Sequence, residues 1–133
     1  MRSGFERKIA QSLEDRGISY EYELYQYPFL RRVKNGECGE CGSDDVYQLG
    51  WYTPDFFLPN GIVIEAKGKF VARERTKILA VMETNPELDL RMVFQRDNKL
   101  TKRSTTRYSE WCDRHNIRYH IGTDIPIDWI EET

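Results

Sequence analysis

Two carboxylates and a lysine, Asp55, Glu65 and Lys67, are the residues of this sequence best suited to chemistry. Two carboxylates that meet across a β-hairpin repel one another unless a cation lies between them. Hard oxygen ligands with open positions suit Mg²⁺ or Mn²⁺, and a lysine beside such a metal can orient or help deprotonate a water, or stabilise charge on a phosphate. We therefore interpret this set as a metal site; the alternative is a surface hairpin with a cross-strand Glu–Lys pair.

The hairpin is predicted from the residues that separate these groups. Apolar, β-prone runs at 56–58 and 62–64 flank a Pro-Asn-Gly turn. Pro59 cannot donate a ladder hydrogen bond, but it suits the second position of a type I turn. Gly61 suits the left-handed position that follows, so a three-residue loop is expected.

The length of this loop decides whether the charged groups meet. A two-residue loop would place Asp55 opposite Ala66, on the wrong face from Glu65. The three-residue loop instead pairs Asp55 with Glu65, with their Cβ atoms about 4.5–5.5 Å apart. Lys67 then lies on the same face, because it is two residues beyond Glu65.

The composition is that of one folded domain. The chain has 133 residues, of which 39% are hydrophobic and 13% aromatic, and this is enough for a core. No apolar run approaches the ~18 residues of a membrane span, and we expect no signal peptide. Three cysteines, an odd number, fit a reducing compartment better than a disulfide framework. We expect a single domain, 1–133, that lies in the cytoplasm and does not contact a membrane.

Positive charge is concentrated in one part of the chain. Residues 66–107 hold eleven Lys or Arg and five Asp or Glu, although the whole chain has a net charge of −2. A basic segment beside a carboxylate cluster suits a phosphate polymer, whereas the alternative is two solvated helical faces that balance one another. The candidate DNA-binding residues of this segment are Lys69, Arg73, Arg75, Lys77, Arg96, Lys99, Lys102, Arg103 and Arg107.

The spacing of apolar residues predicts an α/β domain with a mixed sheet. In chain order the patterns indicate a helix at 3–16, a strand at 18–25, the hairpin, a helix at 71–84, a strand at 90–94, a polar loop at 95–107, a helix at 108–115, a strand at 117–121 and a last helical turn at 126–131. No clear period extends over 26–50. In the second helix, Val71 and Ile78 are expected to face inward.

The first predicted helix carries a further carboxylate. Ser3 is the expected N-cap, and Glu6 occupies the third helical position, an arrangement typical of a capping box. Gly17 is expected to end this helix. From the residues alone, the capping role of Glu6 is the favoured interpretation.

Segment 31–50 contains a pair of cysteines, Cys38 and Cys41, flanked by glycines, which looks like half of a zinc knuckle. A structural Zn²⁺ needs four ligands, which two such pairs in a dimer, or Cys112 and His115, could complete. The alternative is a reduced, exposed turn. Redox chemistry is less favoured, because no thioredoxin-like strand and helix follow the motif.

The large aromatic residues are expected to be structural. Trp51, Trp111 and Trp129 are expected in the core rather than as platforms on which bases stack, while Tyr52, beside the motif, has the weakest case for burial. The two histidines, at 115 and 120, have no identifiable partner near the hairpin, so a structural role is expected for them too.

Taken together, these motifs resemble the bacteriophage endonuclease I family of Holliday-junction resolvases, within the PD-(D/E)xK nuclease superfamily. The opening Ser3-Gly-x-Glu6 and the hairpin are the specific parts of this resemblance. Matching segments cover most of the chain: 2–6, 20–23, 52–68, 86–94, 111–117 and 125–130. The insert at 31–50, with its Cys-x-x-Cys loop, departs from the family pattern.

The resemblance implies roles for particular residues. Asp55 and Glu65 bind Mg²⁺ or Mn²⁺, two ions in each active site, with the main-chain carbonyl of Ala66. Lys67 contacts the scissile phosphate or the attacking water. Glu6 completes the site and is favoured as catalytic once the resemblance is considered, so the catalytic set is Glu6, Asp55, Glu65 and Lys67.

The resemblance also implies a fold and a partner. The core is expected to be restriction-endonuclease-like, in an intertwined, domain-swapped homodimer whose first helix completes the partner's site. Branched DNA, above all the four-way junction, is the expected substrate. If a phage encodes the chain, the cytoplasm is that of the host cell.

Three functions follow from these observations. The first is a structure-selective DNA endonuclease that resolves four-way junctions and leaves a 5′-phosphate and a 3′-hydroxyl. The second is a nicking or homing endonuclease of the same fold. The third is a zinc-bearing DNA-binding module without turnover, against which the intact Asp55, Glu65 and Lys67 argue.

Overall fold

The structure, a computed structural model, describes residues 3–33 and 46–132. Five strands form a central sheet in the order β1-β4-β5-β6-β7, and β2 and β3 form a separate two-stranded sheet. Over the described residues, no helix is long and apolar enough to cross a membrane. The elements are α1 (Gly4–Asp15), β1 (Glu21–Tyr22), β2 (Tyr27–Val33), β3 (Val46–Tyr52), β4 (Phe56–Phe57), β5 (Val63–Lys67), α2 (Ala72–Thr84), β6 (Leu90–Phe94), α3 (Tyr108–Arg114), β7 (Tyr119–Ile121) and α4 (Ile127–Glu131).

The central sheet is mixed, as the sequence predicts. β4 is antiparallel to β1 and β5, whereas β6 is parallel to β5 and β7. Parallel neighbours need a crossover connection, and α2 and α3 lie in the two crossovers. The predicted α/β class, with a mixed central sheet flanked by helices, is therefore confirmed.

Alternation along the strands sends side chains to two separate cores. On β5, Val63 packs in the core that includes α2 and α3, whereas Ile64 packs in the core that includes α1 and α4. Phe57 and Phe56 of β4 divide in the same way. The sheet thus separates two hydrophobic layers, and both layers reach the end of the sheet where Asp55 and the end of β5 lie.

α1 begins and ends as the sequence predicts. The N–H of Glu6 donates to the Ser3 hydroxyl at 3.1 Å, which satisfies one of the free donors of the first turn. Gly17 has a φ of 68°, a left-handed conformation that glycine adopts without strain. The predicted apolar stripe is buried: Phe5, Ile9 and Leu13.

The hairpin has the predicted three-residue loop and register. Phe56 pairs with Ile64. The N–H of Gly61 donates to the carbonyl of Leu58 at 3.1 Å, and Gly61 has a φ of 91°. This is the turn expected from Pro59 and Gly61, and it fixes the pairing that brings the ends of β4 and β5 together.

The structure departs from the sequence pattern in two places between residues 18 and 50. The predicted strand at 18–25 is reduced to the two residues of β1, because Glu23 has a left-handed φ of 51° and turns the chain. The region without a clear period contains β2 and β3, which pair over seven residues on each strand. Phe29 of β2 is buried while Leu30 is 51% exposed, so apolar side chains lie on both faces and conceal the period of two.

Two residues expected inside are exposed. Val71 is 47% exposed because it is the N-cap of α2 rather than part of its buried face, where Ile78 lies. Trp51 is 57% exposed on β3, so its predicted place in the core is wrong. Trp111 and Trp129 are buried as predicted.

A buried arginine ties the C-terminal helix to the sheet. Arg91 of β6 is 1% exposed and pairs with Asp89 at 2.9 Å and with Glu132 at 2.8 Å. Its guanidinium also lies over the ring of Trp129, 5.3 Å from the centroid. The two carboxylates compensate the burial of the Arg91 charge. The contacts with Glu132 and Trp129 fix α4 against the face of the sheet on which α1 packs.

Candidate active site

A cleft of about 390 Å³ opens at the end of β5, between the N-terminus of α1 and the N-terminal half of α2. All four residues predicted as catalytic lie on its wall, so the structure brings them together. The cleft is lined by Glu6, Trp51, Tyr52, Thr53, Asp55, Glu65, Ala66, Lys67, Glu74 and Lys77.

Asp55 lies just before β4 and is held by the neighbouring strand. Its main-chain N–H donates to the carbonyl of Ile64 at 3.0 Å, and its Oδ2 accepts from the N–H of Ala66 at 2.8 Å. Burial, followed by the charge of Glu65, raises the pKa of Asp55 to about 8. A carboxyl group in this position therefore carries an electrostatic penalty that a bound cation removes.

Glu65 is oriented by two donors on the same side of the sheet. The buried hydroxyl of Tyr52 donates to its Oε1 at 2.7 Å, and the ammonium of Lys67 lies 3.1 Å from its Oε2. Burial raises the pKa of Glu65, while Lys67 and Tyr52 act against that rise. This role of Tyr52 is not visible in the sequence, since the contact joins residues thirteen positions apart on different sheets.

Lys67 bridges the hairpin and α2. Besides Glu65, it lies 3.4 Å from a carboxylate oxygen of Glu74. Burial acts to lower the pKa of Lys67, but attraction to Glu65 and Glu74 outweighs it and leaves the pKa above its usual value. The cleft thus contains a fixed ammonium group beside its carboxylates, as the alternation along β5 predicts.

Glu6 belongs to the cap of α1 and to the cleft at the same time. Its backbone N–H donates to the Ser3 hydroxyl, while its carboxylate accepts a hydrogen bond from the hydroxyl of Tyr22. Glu6 is 7% exposed. The two interpretations of Glu6 do not exclude each other, because its main-chain N–H and its Oε1 contact the Ser3 hydroxyl of the cap while the same carboxylate also lines the cleft.

Glu23 is a further carboxylate beside Glu6 and Asp55, and its sequence pattern gave no sign of this position. Glu6, Glu23 and Asp55 each place a carboxylate oxygen within 4.8 Å of the other two. Strand alternation predicts that Glu23 points to solvent with Glu21. The left-handed turn at Glu23 changes that direction, and its N–H donates to the carbonyl of Asp55 at 3.0 Å.

The donor set fits a hard divalent cation. Three carboxylates within reach of one another, two of them buried, supply the oxygen ligands that Mg²⁺ and Mn²⁺ prefer. Glu65 lines the same cleft but is not part of this trio, and its carboxylate contacts Tyr52 and Lys67 instead. The metal-ligand role of the Ala66 carbonyl stays a prediction.

The predicted DNA-binding residues divide between the cleft and the outer surface. Lys77 lines the cleft, with its ammonium 5.5 Å from the centroid of the Tyr52 ring. Arg75 donates to the carbonyl of Phe70 at 2.6 Å and is half-buried. The other predicted residues are exposed: Lys69, Arg73, Arg96, Lys99, Lys102, Arg103 and Arg107.

The predicted zinc pair, Cys38 and Cys41, lies outside the described residues. The proposed completion by Cys112 and His115 has no support in the structure. Cys112 is fully buried in the apolar core, and burial raises the pKa of its thiol to about 12. Cysteines buried among apolar side chains in this way are structural and unreactive. The ring of His115 packs against Trp111, as expected of a structural histidine.

Comparison with known proteins supplies the family. A model of the family described as phage endonuclease I matches residues 1–133. The chain belongs to the phage endonuclease I family. Endonuclease I of Escherichia phage T7 is 40% identical over 132 residues, which cover 98% of this chain and 78% of that protein. Endodeoxyribonuclease 1 of Enterobacteria phage T3 is 43% identical over 132 residues, which cover 98% of this chain and 77% of that protein.

Membership in the phage endonuclease I family confirms the resemblance based on the opening Ser-Gly-x-Glu and the hairpin. The two motifs are distant in sequence, but the structure places Glu6 from one and Asp55 from the other in a single cleft. The same cleft contains Lys67 and Lys77, and a nuclease needs positive charge beside the phosphodiester and the attacking water.

We expect Asp55→Asn to stabilise the metal-free protein at alkaline pH. The folded pKa of about 8 lies above the ordinary value of 3.8, so the folded state keeps a proton that the unfolded chain releases between these values. The contribution of Asp55 to stability therefore decreases as the pH rises from 4 to 8, and Asn removes this loss. In EDTA, the Tm of Asp55→Asn should exceed that of the wild type by several degrees at pH 8.5 and by much less at pH 4.5. Equal differences in Tm between Asp55→Asn and the wild type at both pH values contradict the buried, charge-repelling environment assigned to Asp55.

Proposed function

We propose that this member of the phage endonuclease I family is a divalent-metal-dependent DNA endonuclease that cleaves four-way junctions and other branched DNA by phosphodiester hydrolysis. The observation that carries the proposal is the cleft in which Glu6, Asp55, Glu65 and Lys67 meet. The relatives in phages T7 and T3 are named as an endonuclease and an endodeoxyribonuclease, which supports DNA as the substrate. We also propose that the mixed sheet is a restriction-endonuclease-like core.

The proposed metal ligands are the carboxylates of the cleft. Asp55, Glu6 and Glu65, with the carbonyl of Ala66, hold Mg²⁺ or Mn²⁺, and the number of carboxylates is sufficient for two ions. Glu23 lies close enough to Glu6 and Asp55 to take part. When bound, such an ion supplies positive charge to phosphate oxygens and makes an attacking water more acidic.

Two other residues of the cleft, Lys67 and Tyr52, position the reacting groups and stabilise charge. The ammonium of Lys67 is held by Glu65 and Glu74, so it is directed before the substrate arrives and can donate to the scissile phosphate or to the water. Tyr52 holds Glu65 in one orientation through its hydroxyl. Both groups act without rearrangement, which is the condition for strong electrostatic stabilisation.

A comparison of substrates tests the proposed function. Cleavage of a four-way junction and of a linear duplex with the same sequence is measured with Mg²⁺ and with EDTA. Rapid, Mg²⁺-dependent cleavage of the junction alone supports the proposal. Cleavage of both substrates supports a nicking or homing enzyme instead, and binding without cleavage supports a DNA-binding module.

We expect junction binding to weaken steeply with salt, mainly through the 66–107 segment. Exposed Lys and Arg release counterions when they neutralise phosphates, and each such contact changes the slope of log K against log salt by about 0.9. Replacing Lys99, Lys102 and Arg103 together by Gln should flatten the slope by about two to three units. An unchanged slope places the DNA on another surface.

We further propose that Cys38 and Cys41 hold Zn²⁺. A separate proposal is that the protein acts as a homodimer in the host cytoplasm. A four-way junction is nearly two-fold symmetric and requires two cuts, which suits a symmetric pair of sites. Within the described chain, α1 supplies Glu6 to the cleft of its own chain. A helix exchanged between two chains makes the same contacts with the partner, since domain swapping preserves the interface.

Mixed dimers test whether α1 is exchanged. We expect co-expressed Glu6→Ala and Asp55→Ala chains to form heterodimers with one complete site, because both lesions fall in the other composite site. Such heterodimers nick one strand of a junction, whereas each homodimer is inactive. If each chain completes its own site, the mixture stays inactive. An active Glu6→Ala homodimer would show that Glu6 serves only the cap.

A further inference from the structure

Trp51 stands on an exposed apolar face of β3. Side chains two residues apart lie on one face of a strand, so Trp51 shares its face with Leu49 and Tyr47. The three are 57%, 58% and 56% exposed. Leu30, which pairs directly with Leu49, adds a further 51% exposed apolar side chain to this face. A cluster of this kind on a soluble protein marks a binding surface.

Trp51 differs from the rest of this face because it borders the active-site cleft. Among the exposed apolar residues of β2 and β3 that the structure describes, Trp51 alone lines the cleft that holds Asp55 and Lys67. Its neighbour Tyr52 donates to Glu65 and lies beneath the ammonium of Lys77. The indole is therefore an apolar surface at the rim of a cleft whose walls are otherwise mostly charged.

We propose that Trp51 is a stacking platform for a nucleobase of the DNA beside the scissile phosphate. The inference rests on the proposed function, since it names the part of the substrate that this site holds next to the reacting group. Every base offers a π-face, and stacking on an aromatic side chain needs no particular sequence. A base inside a regular duplex has both faces covered, so Trp51 selects DNA whose bases are unstacked or unpaired near the cut.

The two lysines beside Trp51, with the metal of the proposed function, favour DNA over a second copy of the chain as its occupant. Lys67 and Lys77 line the cleft that Trp51 borders, together with the carboxylates of Glu6, Asp55, Glu65 and Glu74. A strand that stacks a base on the indole can place its phosphate near the two ammonium groups and near the cation that these carboxylates hold in the proposed function. The centre of the exposed face, at Leu49, is not part of the cleft. A protein partner covering the whole face would be expected to use Leu49 at least as much as Trp51.

Intrinsic fluorescence tests the stacking directly, because Trp111 and Trp129 are buried. Metal-free protein is titrated with three DNAs. Two are branched: a four-way junction, and a branched DNA with unpaired bases at its branch point. The third is a fully paired linear duplex. We expect the two branched DNAs to quench the emission of the wild type and the linear duplex to quench it much less. In Trp51→Phe, which retains a smaller aromatic face, the quenching by branched DNA should disappear.

Cleavage kinetics separate stacking from a structural role. Trp51→Ala should lower kcat/KM on branched DNA by about 10- to 100-fold, and Trp51→Phe should recover part of that loss. Leu49→Ala is the matched control, since Leu49 is equally exposed on the same face but lies outside the cleft. It should change kcat/KM by less than about twofold.

The outcomes are distinct. Absence of quenching by branched DNA, or an unchanged kcat/KM in Trp51→Ala, overturns the stacking proposal. An emission shift that depends on protein concentration without DNA, together with a larger effect of Leu49→Ala, overturns it in favour of a second copy on this face. If the wild type cleaves none of the DNAs, the proposed function fails, while the quenching experiment still decides whether Trp51 stacks on a base.

Discussion

Asp55→Asn is expected to lower cleavage of branched DNA by about three orders of magnitude while binding stays intact or becomes tighter. Loss of a metal ligand should lower the cleavage rate more than loss of a residue that only orients a ligand, whose effect is roughly 10- to 100-fold. Asparagine keeps the shape of the side chain and an oxygen that accepts from the N–H of Ala66. Binding is preserved because phosphate contacts elsewhere position the DNA.

The measurement compares single-turnover cleavage with Mg²⁺ and junction binding in EDTA. Asp113→Asn, which neutralises an exposed carboxylate on α3, is the matched control and should cleave as the wild type does. An Asp55→Asn protein that cleaves at the wild-type rate contradicts the assignment of the metal to this cleft.

Lys67→Ala is expected to lower kcat by about 10²- to 10³-fold with little change in KM. The ammonium is held between Glu65 and Glu74 and acts at one phosphate among many, so its effect belongs to the chemical step. Lys69→Ala is the comparison, because this exposed lysine lies two residues further on but is not part of the cleft. Lys69→Ala should lower the affinity for DNA by only a small factor and leave kcat unchanged. If Lys67→Ala lowers only the affinity for DNA and not kcat, Lys67 is an ordinary contact with the DNA phosphate backbone.

The predictable part of the site is the part built by local rules. The turn at Pro59 and Gly61 determines the register of the hairpin, and the register places Asp55 and Lys67 at one end of the sheet. The cap of α1 followed from the spacing of Ser3 and Glu6. Each of these depends on residues only a few positions apart.

The features that sequence reasoning missed depend on tertiary contacts or on a single backbone angle. Tyr52 reaches Glu65 from a separate two-stranded sheet, and nothing in the local pattern indicates that contact. Glu23 comes close to Glu6 and Asp55 at a position with a left-handed φ of 51°, which is uncommon for a residue other than glycine. The high average burial of tryptophan predicts a place for Trp51 in the core, whereas β3 presents it at the rim of the cleft.

The proposed chemistry requires a metal held by the carboxylates of the cleft, and Mn²⁺ binding is the most direct test of that requirement. Free Mn²⁺ is measured by electron paramagnetic resonance in titrations of the wild type and of Asp55→Asn at pH 8, and the same samples are assayed for junction cleavage. We predict that the wild type binds Mn²⁺ and cleaves, that EDTA abolishes both, and that Asp55→Asn loses Mn²⁺ binding and cleavage together. Cleavage that persists in EDTA, or equal Mn²⁺ binding by the two proteins, would contradict the account.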